Sequence, residues 1–223
     1  MQIYLPIASL SVNAPIIIAL GFGVGFLSGM FGVGGGFLTT PLLIFYGIPP
    51  TVAVASATTQ ITGSSVSGVM AHLRRGGVDL KMGGVMTAGG ALGALIGAGL
   101  FRLLQQWGQI DLVIGLLYVL LLGTIGAMMM KEALISLGYL QPNLDKPKSR
   151  HVGWVAALPL RTRFYASGIY LSPLAPLGLG FIAGILTVLL GVGGGFIVVP
   201  AMIYLFNMST RVVVGTSLFM ILC

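Results

Sequence analysis

The residues of this chain that could hold a solute are glycines and hydroxyls embedded in apolar sequence. Phe31 to Pro41 reads FGVGGGFLTTP, and Leu190 to Pro200 reads LGVGGGFIVVP. Glycine lets an apolar segment leave helical geometry and leaves its amides uncovered. In hydrocarbon such irregular backbone is tolerated only where protein buries it or where it lines a water-filled cavity. A bend of this kind followed by a new helix directs free N–H groups and the positive end of a helix dipole at one spot, which favours an anion. In the first copy the residues so placed are Gly32, Gly34, Gly35, Gly36 and Phe37. In the second they are Gly191, Gly193, Gly194, Gly195 and Phe196.

Hydroxyls can complete such a site. Thr39 and Thr40 follow the first motif, and Ser56, Thr58, Thr59 and Gln60 lie on the next apolar span. At the offset between the two copies, Ser56, Ala57 and Thr58 correspond to Gly215, Thr216 and Ser217. Neutral donors suit a multi-oxygen anion that must be released again. The competing reading is that each Ser or Thr bonds a neighbouring helix or its own carbonyls, and that the glycines only let helices pack closely.

Other chemistries lack their residues. The acids Asp79, Asp111, Glu132 and Asp145 all fall in loops or at span edges, so no buried carboxylate offers a proton relay. His72 and His151 sit beside Arg74 and Arg150 and read as solvated loop residues. The only cysteine is Cys223, which excludes an intramolecular disulfide and any thiolate metal site. No nucleophile–base arrangement or HExxH stands in the chain, so neither a catalytic residue nor a metal nor a cofactor is expected. GVGGGF is not a dinucleotide fingerprint either: Phe37 takes the place of the third glycine and no βαβ pattern surrounds it.

The elements that must position these residues are membrane helices. The 223 residues are 57% hydrophobic and only 7% charged. A soluble chain averages about 25% charged. A net charge of +7 would point to nucleic acid only if clustered on a soluble face. Here Lys and Arg fall between apolar spans and act as topology signals, so the surface partner is the lipid bilayer. The N-terminus, MQIYLPIASLSVN, lacks the positive region and cleavage site of a signal peptide and is kept as mature sequence.

Aligned without gaps, Gly21–Ile61 and Gly180–Met220 share 14 identities in 41 positions, an internal repeat. The first half, residues 1–130, offers spans at 15–31, 37–48, 51–72, 83–104 and 112–130. The segment 37–48 is too short to cross alone, so 15–48 is expected to form a helical hairpin bent at the motif. Residues 131–170 form a polar linker. The second half, residues 171–223, offers spans at 171–190, 196–206 and from Thr210. It lacks a counterpart of residues 65–130 and is an incomplete second repeat. Gly21, Gly25 and Gly29, and again Gly89, Gly93 and Gly97, recur every four residues and predict close helix contacts.

Ten of the eleven Lys and Arg residues fall at 72–82, in 131–170 and at Arg211. The positive-inside rule puts those segments in the cytoplasm and the N-terminus outside. Five membrane elements in the first half, an odd number, make the repeats inverted. The expected fold class is therefore all-α: a polytopic transmembrane bundle of two inverted repeats. Matched Gly/Pro-interrupted segments in two halves are a pointer to a transporter's binding site.

The two motifs with Pro41 and Pro200, and the run from Thr210 to Leu218 (TRVVVGTSL), resemble the sulfite exporter TauE/SafE family of membrane permeases over about residues 15–223. The resemblance implies a multi-pass transporter of the bacterial inner membrane, carrying a sulfur oxyanion or organosulfonate such as sulfite. A non-transporting membrane scaffold or inactive fragment is the alternative, and a membrane-embedded enzyme is disfavoured for lack of catalytic groups. Nothing in the sequence sets the oligomeric state.

Overall fold

The structure, a computed structural model, describes residues 2–5, 10–31, 35–137, 162–164, 169–206 and 208–223. Gly32 and Gly34 of the first motif and most of the 131–170 linker lie outside the described residues. The protein is an all-α membrane bundle. Eight helices carry the described part: α1 (Ala14–Phe31), α2 (Gly36–Phe45), α3 (Pro50–Arg74), α4 (Leu80–Gln106), α5 (Ile110–Ser136), α6 (Leu174–Leu190), α7 (Gly195–Phe206) and α8 (Thr210–Leu222). All eight expected spans appear. The last span of the first half, α5, runs six residues into the segment read as linker, because Lys131–Ser136 (KEALIS) simply continues a good helix former.

Two small antiparallel hairpins were not foreseen. One pairs β1 (Gln2–Leu5) with β2 (Leu10–Asn13), and the other pairs β3 (Thr162–Phe164) with β4 (Ile169–Leu171). Each leads directly, or nearly so, into the first helix of a half, α1 or α6.

Length separates the helices into two kinds. The helices α4 and α5 have 27 residues each and supply apolar stretches long enough to cross a bilayer. In contrast, α2 and α7 have 10 and 12 residues. At 1.5 Å per residue they reach about 15 and 18 Å, roughly half of a ~30 Å hydrocarbon core. Each contains the motif proline, Pro41 or Pro200, which removes one helical N–H and leaves the carbonyl four residues earlier, Phe37 or Phe196, without that partner.

The outside of the bundle is apolar where lipid would lie. Phe22, Phe45, Leu95 and Val119 are exposed at 77, 87, 73 and 76%. Soluble monomers rarely show such continuous apolar surface.

The most extensive helix contact is α4 against α6. It is a reciprocal glycine crossing. A Cβ at Gly89 or Gly93 would overlap the carbonyls of Leu177 or Phe181, and one at Gly180 or Gly184 would overlap those of Met86 or Gly90. Gly97 continues the seam against Ile185, at 3.1 Å from its Cα. The expectation for the second glycine series therefore holds. For α1 it does not: Gly21 and Gly25 have nothing within 4 Å, and Gly29 falls where the surroundings are not described. Spacing marks a face that can pack closely, but only a facing helix makes it do so.

Candidate substrate site at the paired glycine breaks

Both motifs interrupt the helix. After α6 ends at Leu190, Gly191, Gly193 and Gly194 take φ of 66, 73 and 68°, and α7 begins at Gly195. In the first half α1 ends at Phe31, Gly35 has φ 39°, and α2 begins at Gly36. These left-handed values are open to glycine and strained for other residues, which is why this sequence bends here. Residues 191–195 are all buried, as are Gly35 and Gly36. The irregular backbone described at these breaks is thus enclosed by protein, the condition under which hydrocarbon allows it.

The tertiary structure brings the two breaks together. Phe37 and Phe196, which occupy the same position in the two repeats, stack with centroids 4.5 Å apart and planes 9° from parallel. A Cβ on Gly36 would stand 2.6 Å from Gly191 O and overlap the Ile61 side chain. On Gly193 it would stand 2.7 Å from Ile61 Cγ2, and on Gly191 2.7 Å from Val54 O. Helix α3 therefore runs past both breaks, with Ile61 touching each. Ile61 is 2% exposed, and no spacing rule singled it out.

Several polar groups secure the breaks. Tyr118 of α5 donates its hydroxyl proton to Leu190 O, the last carbonyl of α6. That carbonyl has lost its helical partner because the chain bends, so the phenol acts as a remote cap. Thr40 packs beside Tyr118 and is fully buried. Tyr118 commits its proton to Leu190, and among the described residues no atom meets hydrogen-bond geometry with Thr40 Oγ1. Thr39 Oγ1 lies 2.8 Å from Gln60 Oε1, to which it donates, and 3.1 Å from Gly35 O. Gly35, Gly36, Phe37, Thr39 and Gln60 thus form one group around the first break.

The remaining sequence candidates are spread more widely. Thr58 and Thr59 return their protons to Val54 O and Ala55 O, one turn back on α3, and both are exposed, as is Ser56. Thr216 accepts a hydrogen bond from Asp79 N at 3.1 Å, tying α8 to the N-terminus of α4. Ser217 donates to Val214 O, and Gly215 packs against Gly77, whose carbonyl a Cβ would overlap. These three are buried at a helix junction rather than grouped with the breaks.

A cavity of about 180 Å³ opens at the second break. Thr87, Gly90 and Ala94 of α4, Gly184 and Thr187 of α6, Gly193, and Met220 and Ile221 of α8 are among its walls. Sequence reasoning missed Thr87 and Thr187 because each is a single hydroxyl in an apolar span. Thr187 lies one turn before the motif on its own helix, and only the α4–α6 crossing makes Thr87 a neighbour of it. Among the described residues no group of three or more His, Cys, Asp or Glu residues could hold a metal ion.

A polytopic helical membrane protein with matched, buried helix breaks has the build of a membrane transporter. The comparisons agree. The family model for the sulfite exporter TauE/SafE matches residues 17–223, and the chain belongs to that family. It is 32% identical over 205 residues to the probable membrane transporter protein YjnA of Bacillus subtilis, covering 91% of this chain and 72% of that one. A probable membrane transporter protein of Xylella fastidiosa is 28% identical over 207 residues, covering 91% of this chain and 68% of its own length. Sulfite exporter TauE/SafE family protein 5 of Arabidopsis thaliana is 30% identical over 97 residues, 43% of this chain and 22% of that protein. No solved structure gives a significant match.

Proposed function

We propose that this membrane transporter is a secondary permease for a small anion, a sulfur oxyanion or organosulfonate, working by alternating access in a bacterial inner membrane. The observation that carries the reading is the meeting of the two breaks, with the repeat-equivalent rings of Phe37 and Phe196 in face-to-face contact. That contact fits two halves that rock about a shared midplane site. The N–H groups of Val192, Gly193 and Gly194 make no backbone hydrogen bond among the described residues. With the N-terminus of α7 they give neutral donors, which can hold an anion and let it go. The orientation that goes with this reading has the N-terminus outside, the 131–170 loop in the cytoplasm and the repeats inverted. The name of the matching family supplies sulfite as the first solute to try.

The test is anion flux into proteoliposomes holding the purified chain. Gly193→Val combines a φ of 73° with a Cβ 2.7 Å from Ile61, so it should abolish sulfite flux. Gly34→Val, its equivalent in the first repeat, should do the same. Both variants should still insert, as judged by extraction and protease protection. Flux at the wild-type rate in either inserted variant would refute the binding role of the breaks. A scaffold that uses its glycines for packing alone would show no thermal stabilisation by sulfite or a sulfonate.

A further inference from the structure

The helices α1 and α6 open the two repeats, and the offset between the repeats pairs them position by position. Gly21 corresponds to Gly180 and Gly25 to Gly184. Ile18, Phe22 and Phe26 correspond to Leu177, Phe181 and Ile185. In α6 all five positions belong to the seam with α4. A Cβ at Gly89, Gly93 or Gly97 would meet the backbone of Leu177, Phe181 or Ile185 in turn, and Gly180 and Gly184 sit against the carbonyls of Met86 and Gly90. These contacts advance in the same direction along both helices, so α4 and α6 cross in parallel. In α1 the same five positions are uncovered. Ile18, Phe22 and Phe26 are 70, 77 and 63% exposed, and among the described residues nothing lies within 4 Å of a Cβ placed on Gly21 or Gly25.

Contact with lipid accounts for the large apolar side chains but not for the two glycines. Hydrocarbon is as apolar as the side chains it touches, so helices associate within it by close backbone approach at small residues. Without such an approach a glycine only weakens a helix relative to alanine. Where the equivalent glycines are covered, the covering helix is α4, which brings its own glycine at every fourth residue. We propose that the Ile18–Phe26 face of α1 is a docking face for a transmembrane helix of α4's chemistry: apolar, with small residues at every fourth position, and running parallel to α1. That helix comes from outside the 223 residues, because α4 is already committed to α6 and would be so in a second copy of the chain as well. The longer relatives have room for it, since the match spans 68% of the Xylella fastidiosa transporter and 72% of YjnA. Docked in this way, each half would hold one glycine crossing of the same build.

The experiment uses the full chain in detergent micelles, with a donor dye on the exposed Cys223, and a synthetic peptide of the α4 sequence, Leu80–Gln106, carrying an acceptor dye. Energy transfer reads binding, and wild type should take up the peptide one to one. Gly25→Ala meets no obstacle within the chain itself, so it should fold as wild type does by far-UV circular dichroism yet bind the peptide at least tenfold more weakly. Gly93→Ala in the peptide should weaken binding to the same degree. Absence of binding overturns the inference. So does binding that Gly25→Ala leaves unchanged, because the peptide would then be replacing the chain's own α4 on α6. Energy transfer between donor- and acceptor-labelled copies of the chain, lost in Gly25→Ala, would make a second copy the occupant and overturn it as well. Anion flux is measured without the peptide, so the transport reading stands or falls separately.

Discussion

Two glycines that occupy the same repeat position should respond in opposite ways to one added methyl group. Gly184 of α6 lies in the α4 crossing, where a Cβ would overlap Gly90 O and approach its Cα to 2.9 Å. Backbone cannot move aside as a flexible side chain can. Gly184→Ala must therefore push the two helices apart, and overpacking of this kind costs about 1–3 kcal/mol. Gly25 of α1 is its equivalent and has nothing within 4 Å. Gly25→Ala meets no obstacle and gains helix propensity, up to about 1 kcal/mol. The difference between the two variants should come to about 1–4 kcal/mol in the 223-residue chain. Unfolding titrations in mixed micelles, followed by far-UV circular dichroism, read it directly. Gly93→Ala, whose Cβ would overlap Phe181 O from the other side of the seam, should behave like Gly184→Ala. If Gly25→Ala and Gly184→Ala destabilise equally, the α4–α6 crossing is not what distinguishes the two faces, and the packing described above is wrong.

Other consequences follow from the same contacts. Tyr118→Phe strips the cap from Leu190 O and should lower stability by about 1–3 kcal/mol, because a buried acceptor is left bare; the same titration measures it. Ile61→Ala opens a hole between both breaks and should cost about 2–5 kcal/mol, with sulfite flux in vesicles falling as the breaks loosen. A double-mutant cycle on Phe37→Leu and Phe196→Leu should return a coupling of about 0.5–1.5 kcal/mol, and a coupling near zero would show that the rings do not meet. Thr216→Val removes the acceptor for Asp79 N and should destabilise the α3–α4 turn by about 1 kcal/mol while leaving anion binding intact.

Much of the architecture was legible in the chain. Apolar runs separated by Arg74, Arg75 and Lys81, or by Pro49-Pro50, gave the ends of the described helices to within three residues, the C-terminal end of α5 excepted. Backbone groups must be satisfied inside each segment when no water is present, so composition and length decide the helices almost alone. The breaks were equally legible, since only glycine accepts φ near +70° without strain. Side-chain partnerships were not. Thr58, Thr59 and Thr216 looked like the hydroxyls of Thr39 and Thr40 in one dimension, yet the first two bond their own helix and the third closes a turn.

The sequence by itself therefore determined where this protein is helical, where it must bend, and that the same glycine motif stands at two of those bends. Only the tertiary structure decided which bend meets which: that Phe37 lies on Phe196, that Ile61 passes both breaks, and that Thr87 and Thr187 border a cavity at one of them. The physical reason is that helix formation and glycine φ are local properties, fixed by each residue and its near neighbours. A cavity or a stacked pair depends on which helix faces cross, and that is settled by close packing among residues far apart in the chain.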